Sequence, residues 1–368
     1  MSSPDDHPID PRSATRHTRR SVLTALGAAG AVASGLVTPG DLAAKKKKKK
    51  TWSYSTKFGS DGNGDNNFHN PYAVAISANK RTAWVADNAN HRIAIWTRPT
   101  ANSTVWTFST KFGSNGTGDA EFDLPSDIAI SADELTAFVA DQGNNRISIW
   151  TRPNDTSTTW SYSSQFGTAG TGDSNLLAPV GVALSADGLT TFVSDALNNR
   201  VVIWTRESNP TDWSYSTKFG TYGSGVGQLY GQAGLALSAN GRTLLVADYG
   251  NNRISVWDRQ DANATSWTNS TTFGTSGSGP GNLSSPFDVA LSADGRTAWV
   301  ADNYNHRIAI WTRTGANSTT WTNTTTFGSL GSDDPNFNYP QSVAVSSDGN
   351  TLWVADTVNH RISIWKYA

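Results

Sequence analysis

An acid, an amide, an imidazole and a guanidinium lie close together in the run VADNANHRIAIW (85–96), as Asp87, Asn90, His91 and Arg92. Residues of these types can relay protons, hold a metal or bind an anion. The same run recurs as VADQGNNRISIW (139–150), VSDALNNRVVIW (193–204), VADYGNNRISVW (246–257), VADNYNHRIAIW (300–311) and VADTVNHRISIW (354–365). A reactive centre needs one constellation, so six copies point to architecture. Asp87, Asn90 and Arg92 share this role with Asp141, Asn144 and Arg146, and with Asp195, Asn198 and Arg200. The later copies supply Asp248, Asn251 and Arg253, then Asp302, Asn305 and Arg307, and finally Asp356, Asn359 and Arg361. We read all eighteen as a structural signature in which Asp and Arg pair across a hairpin and Asn takes a left-handed turn conformation.

Histidines are the next candidates. From Thr51 onward they are His69, His91, His306 and His360, and the last three sit inside the repeated run. One metal needs its ligands about 2 Å away. Equivalent points on successive repeats are too far apart for that, so a zinc site shared by His91, His306 and His360 is not expected. Asp61-Gly62-Asn63-Gly64-Asp65 is similar to the opening of a calcium loop, but Asn66 and Tyr72 stand where such a loop needs Gly and Glu. No Gly-x-Ser-x-Gly elbow, His-Glu-x-x-His helix or phosphate loop occurs in the chain.

The elements that position these residues follow from the period. Trp recurs at 52, 106, 160, 213, 267 and 321, a spacing of 54 residues broken once by 53. In Trp52 to Phe58 large and small side chains alternate, the period of two expected of a strand. A Gly-rich loop follows, then β-type runs at Ala73 to Ser77, Thr82 to Ala86 and Arg92 to Trp96. Four strands in each of six units predict an all-β fold, a six-bladed β-propeller of four-stranded blades. The first element is a fourth-strand type and the last, Arg361 to Trp365, a third-strand type. The N-terminal strand should therefore pair in the C-terminal blade and close the ring, leaving no open edge. Twelve of the fifteen tryptophans end third strands or begin fourth strands, and each such pair is expected to pack across its own hairpin. Asn102, Asn263 and Asn317, although in Asn-x-Ser/Thr sequences, read as polar turn residues of the same hairpins.

The pattern P-x-x-V-A-I-S, W-V-A-D-x-x-N-H-R-I-x-I-W and F-G-S-x-G resembles the NHL repeat, with Asn90-His91-Arg92, Asn305-His306-Arg307 and Asn359-His360-Arg361 in place of its Asn-His-Leu run. The resemblance spans residues 51–368 and implies the propeller. For function it implies only a range, since NHL propellers include adhesive and sensory ectodomains, RNA binders and an amidating lyase.

Within such a ring the residue two after each inner-strand Pro, or after Gln232, should line the channel. These are Ala73, Asp127, Gly181, Gly234, Asp288 and Ser342. Asp127 and Asp288 belong to opposite blades, with Tyr72, Phe287 and Gln341 at the adjacent, more exposed position. Facing carboxylates without basic neighbours favour a cation, such as calcium, or the polar part of a ligand. Tyr72, Asp127, Phe287, Asp288, Gln341 and Ser342 form the candidate ligand site, with Asp127 and Asp288 as its metal ligands.

Thr18 to Leu23, with Arg19-Arg20, resembles the bacterial twin-arginine motif and precedes an apolar run too short to span a membrane. The expected organisation is an export signal at 1–44, a poly-Lys linker at 45–50 and the propeller at 51–368, placing the protein in the envelope, the periplasm or outside the cell with no transmembrane segment in the mature chain. The absence of Cys rules out disulfides and thiolate metal sites. From Thr51 onward 19 Lys and Arg face 26 Asp and Glu, a net charge of −7, which lacks the basic footprint of a nucleic-acid binder. The expected function is binding of a small molecule, glycan or envelope protein. A metal-assisted lyase or hydrolase acting at the top of the channel is the alternative.

Overall fold

A computed structural model describes residues 50–207 and 211–368; the expected export signal and all of the poly-Lys linker but Lys50 lie outside them. Six four-stranded antiparallel sheets form the blades of a propeller. Blade 1 comprises Pro71–Ile76, Thr82–Asp87, Arg92–Thr97 and Thr107–Phe112, from the channel outward. Blades 2, 3 and 5 repeat it, with inner strands Pro125–Ile130, Pro179–Leu184 and Pro286–Leu291. In blade 4, where Gln232 replaces the proline, the inner strand shortens to Leu235–Leu237.

Blade 6 takes three strands from the C-terminus, Pro340–Val345, Thr351–Asp356 and Arg361–Tyr367, and its outer strand, Trp52–Phe58, from the other end of the sequence. The register runs from Trp52 opposite Tyr367 to Phe58 opposite Ile362. Thr51 and Ala368 exchange backbone hydrogen bonds of 3.0 and 3.2 Å beyond the strand ends. The ring is closed as the mismatched terminal strand types require.

The core lies between blades, where second and third strands bury their aliphatic faces. The tryptophans depart from the expected arrangement. Each pair clamps the outer-strand Phe of the preceding blade instead of packing on itself: Phe58 lies 5.0 Å from both Trp96 and Trp106, and Phe112 lies 4.7 and 5.4 Å from Trp150 and Trp160. The pattern continues to Phe327, held by Trp365 and by Trp52 of the closing strand. A strand's last residue abuts the neighbouring sheet because propeller blades stack face to face, a contact that spacing along one blade cannot register. Arg98 illustrates the polar end of this hairpin: its guanidinium sits 4.7 Å from the Trp106 ring and donates to Lys80 O and Ser103 O.

Candidate functional site

Two sets of loops emerge at one end of the ring: those from outer to inner strand, and the second-to-third-strand hairpins. Hydrogen bonds such as Ala89 N to His69 O and Tyr304 N to Ser284 O join them. The repeated signature organises this end. Asp87 is fully buried; its Oδ2 accepts from Arg92 Nε at 2.7 Å and Asn90 Nδ2 at 2.8 Å, and its Oδ1 accepts the His69 N–H at 2.7 Å. Arg92 then donates to Asn63 O, Gly64 O and Asn67 O. A guanidinium thus occupies the interior of the loop that resembled a calcium binder, and Asp65 turns away to Lys111. The five other Asp–Arg pairs repeat at 2.6–2.7 Å.

Asn90 is not the left-handed residue. It ends a single 3-10 turn, Asn88–Asn90, and His91 takes φ 53°. The residue in that conformation is His91, Asn145, Asn199, Asn252, His306 or His360. In all six its side chain accepts the N–H of the residue before the next blade's Pro or Gln232. His91 Nδ1 accepts from Leu124, Asn145 Oδ1 from Ala178, Asn199 Oδ1 from Gly231 and Asn252 Oδ1 from Ser285. His306 Nδ1 accepts from Tyr339 and His360 Nδ1 from Asn70, both at 3.1 Å. Asn and His interchange here because Oδ1 and Nδ1 stand equally far along the side chain and both accept. These histidines serve separate joints, so His91, His306 and His360 share no metal.

One of them nevertheless joins a different cluster. Asp61 Oδ1 lies 3.0 Å from His69 Nδ1 and 3.6 Å from His360 Nδ1, and the two imidazole rings stack at 5.1 Å. Asp61, His69 and His360 form a surface His–His–Asp set able to hold a divalent metal. Sequence reasoning passed over it because His69 lies outside the repeated run; the signal was that His69 and Asp61 flank a loop placed against the left-handed residue of the preceding blade.

At the channel, Asp127 Oδ1 accepts from Ile128 N and its Oδ2 from Val182 N of blade 3, each at 2.8 Å. Asp288 repeats this with Val289 N at 2.8 Å and Val343 N of blade 6 at 3.0 Å. Ser342, buried, hydrogen-bonds to Asp288 and accepts the Val74 N–H of blade 1. The Asp288 carboxyl also rests against Gly234, where a Cβ would fall 2.0 Å from Oδ1. The channel-lining side chains therefore bridge neighbouring blades as well as facing the channel. Burial, and then the charge of Asp288, push Asp127 up to about 7; burial pushes Asp288 up to about 6. The two carboxyls sense one another across the ring.

Above them the six-fold pattern breaks. Tyr72 of blade 1 meets Phe287 of blade 5 edge-on, with ring centres 6.0 Å apart. Tyr249 touches Phe287 and Tyr304, and Tyr304 touches Tyr339 at 5.3 Å. Burial, then a hydrogen bond with Tyr304, push the Tyr249 hydroxyl up. Gln341 Oε1 is buried without a partner among the described residues. Tyr72 and Phe287 were legible from the repeat; Tyr249, Tyr304 and Tyr339 were not singled out, although they too stand at positions where the six copies differ.

The NHL repeat family matches residues 337–365. NHL repeat-containing protein 2 of Bos taurus is 34% identical over 85 residues, which cover 22% of this chain and 12% of that protein. A structure from Bacteroides thetaiotaomicron, of a protein of unknown function, aligns with TM-score 0.57 and 15% identity over 87% of this chain and 77% of its own. Hydrazine synthase of Kuenenia stuttgartiensis aligns with TM-score 0.52 and 14% identity, over 82% and 96%. These likenesses establish an NHL-repeat-related six-bladed propeller fold. At such identities the structures speak for the fold alone.

Proposed function

We propose that this chain is an exported binding protein that takes a small ligand at the channel mouth formed by Tyr72, Phe287, Tyr249, Tyr304 and Tyr339 above Asp127 and Asp288. The observation that carries the reading is the run of aromatic side chains from Tyr72 and Phe287 through Tyr249 and Tyr304 to Tyr339, which only some of the six units place at this end. Aromatic faces favour a flat or CH-rich ring, and Asp127 and Asp288 favour donors or positive charge on it. An amino sugar or a cyclic amine has this chemistry. Calcium could take the place of the ligand's positive group only by adding oxygens to the two carboxylates, since it requires 6–8.

The test is a thermal-shift and titration panel of amino sugars, polyols, cyclic amines and calcium. Phe287→Ala and the Asp127→Ser, Asp288→Ser double variant should each abolish binding of the compounds that shift the parent. Binding that survives both changes would remove the channel mouth as the site. Export rests on Arg19-Arg20 and the apolar run behind it; replacing both arginines by Lys should leave the precursor in the cytoplasm. A metal-assisted hydrolase or lyase is the second reading, favoured by the Asp61, His69 and His360 set at the same end, and metal-dependent turnover of esters or lactones would support it.

A further inference from the structure

We infer that Asp61, His69 and His360 bind one zinc-class divalent ion, and that this ion is a latch on ring closure. His360 belongs to the C-terminal strands of blade 6, whereas Asp61 and His69 lie on the loop that leaves the N-terminal strand completing that blade. An ion held by all three therefore ties the two ends of the chain across the place where the ring was joined.

The geometry is suited to it. With bonds of about 2.0–2.1 Å, two ligands of a tetrahedral zinc stand about 3.3 Å apart, and the separations of 3.0 and 3.6 Å from Asp61 Oδ1 to the two Nδ1 atoms bracket that edge. The backbone is already set. Asp61 pairs with the buried Phe68, the His69 N–H is held by Asp87, and the His360 N–H donates to Thr357 O at 3.1 Å. Asp61 and His69 are exposed, so water can complete the coordination. Two imidazoles and one carboxylate suit zinc, cobalt or nickel and not calcium, which takes oxygen.

Other joints show what the scaffold needs without an ion. The counterparts of Asp61, His69 and His360 are Asn115, Asp123 and His91 at the next joint, and Leu330, Asn338 and His306 at the joint between blades 5 and 6. Among the described residues only the Asp61 joint offers three ligands that converge. The ion must compete with the Asn70 N–H for the His360 Nδ1 lone pair, which makes Asn the informative replacement: Asn145, Asn199 and Asn252 already accept the equivalent N–H.

The inference does not depend on a ligand at the channel mouth and stands or falls separately. Titration of the untagged full chain with zinc should show one ion per chain and a higher melting temperature, with no such response to calcium. His360→Asn, His69→Asn and Asp61→Asn should each weaken zinc at least tenfold while leaving the metal-free melting temperature in place, and His306→Asn should change neither. Hydrogen exchange of Trp52–Phe58 should slow when zinc is added to the parent and not when it is added to His360→Asn. Absence of saturable binding, or binding indifferent to His360→Asn, overturns the site. Binding that leaves exchange in the closing strand unchanged overturns the latch.

Discussion

The Asp–Asn–Arg signature and the channel mouth occupy the same end of the same ring, yet they treat symmetry in opposite ways. Every blade carries the same core of the signature: Asp buried, Arg on Asp at 2.6–2.7 Å, Asn on Asp, and Arg on loop carbonyls, to which Arg146 adds Gln165 and Arg361 adds Asp334. Nearer the axis the position after the proline runs through Tyr72, Ser126, Val180, Ala233, Phe287 and Gln341. A buried charge tolerates no change unless every partner changes with it, whereas the position after the proline takes hydroxyl, aliphatic, aromatic and amide side chains, each answerable to its own neighbours. Repetition thus marks what holds the blades, and its failure marks where a ligand can be told apart.

The comparison breaks most completely if the ring can stand open. A chain beginning at Gly59 lacks Trp52, Tyr54 and Phe58, each worth about 1.5–3 kcal/mol when a large apolar side chain is fully buried, against a typical total of about 5–15 kcal/mol. It should melt far below the parent or associate through the bare strand Arg361–Tyr367. An unchanged melting temperature would mean that closure contributes nothing.

Next in size is the signature itself. Asp195→Ala strands the Arg200 guanidinium in a buried site and should cost about 3–5 kcal/mol in chemical denaturation. Phe287→Ala, at the mouth, should cost far less while changing ligand response. If the two costs were similar, the division between scaffold and site would fail.

The channel carboxyls sharpen the contrast through pH. Asp127 and Asp288 are pushed up from about 3.8 to about 7 and about 6, so the folded protein holds their protons more tightly than the unfolded chain. Their contribution is fully present below pH 4 and is lost as pH rises through 6 to 7. The Asp127→Ser, Asp288→Ser variant, using the residue already present at Ser342, should lose less stability than the parent between pH 4 and 7. Burial also pushes up the signature carboxyls, which add to the slope in parent and variant alike. Equal slopes in parent and variant would uncouple the pair from the fold.

The smallest effect is expected at His306. Burial holds its imidazole below the usual 6.5, against the opposing charge of Asp302, and its unprotonated Nδ1 accepts from Tyr339. Stability from this joint is present above pH 6.5 and is lost as pH falls toward the folded value. His306→Asn should soften acid denaturation between pH 7 and 5 by a fraction of a kcal/mol, on the order of part of one hydrogen bond. Greater acid sensitivity in the variant would refute the acceptor role.

Much of this protein was determined by the sequence alone, because repetition converts one blade into six independent readings. The period, the strand types at the two termini and the Asp–Arg pairing follow from covalent order and alternation, and the structure repeats them. The prominence of Tyr72, Phe287, Asp127 and Asp288 followed from the same comparison, since these positions vary among the six copies; that Asp127 and Asp288 also bridge neighbouring blades did not. Contacts between blades were decided only by the tertiary structure. The clamp of Trp96 and Trp106 on Phe58, the acceptor role shared by His and Asn, and the meeting of Asp61 and His69 with His360 all join residues on different sheets. The joint recurs at a constant offset, 33 residues from His91 to Leu124 and again from His306 to Tyr339, yet alternation within one blade does not mark such offsets as contacts. The separation of these residues is set by how far one twisted sheet stands from the next and by the closing of the ring that brings residue 360 to residue 61.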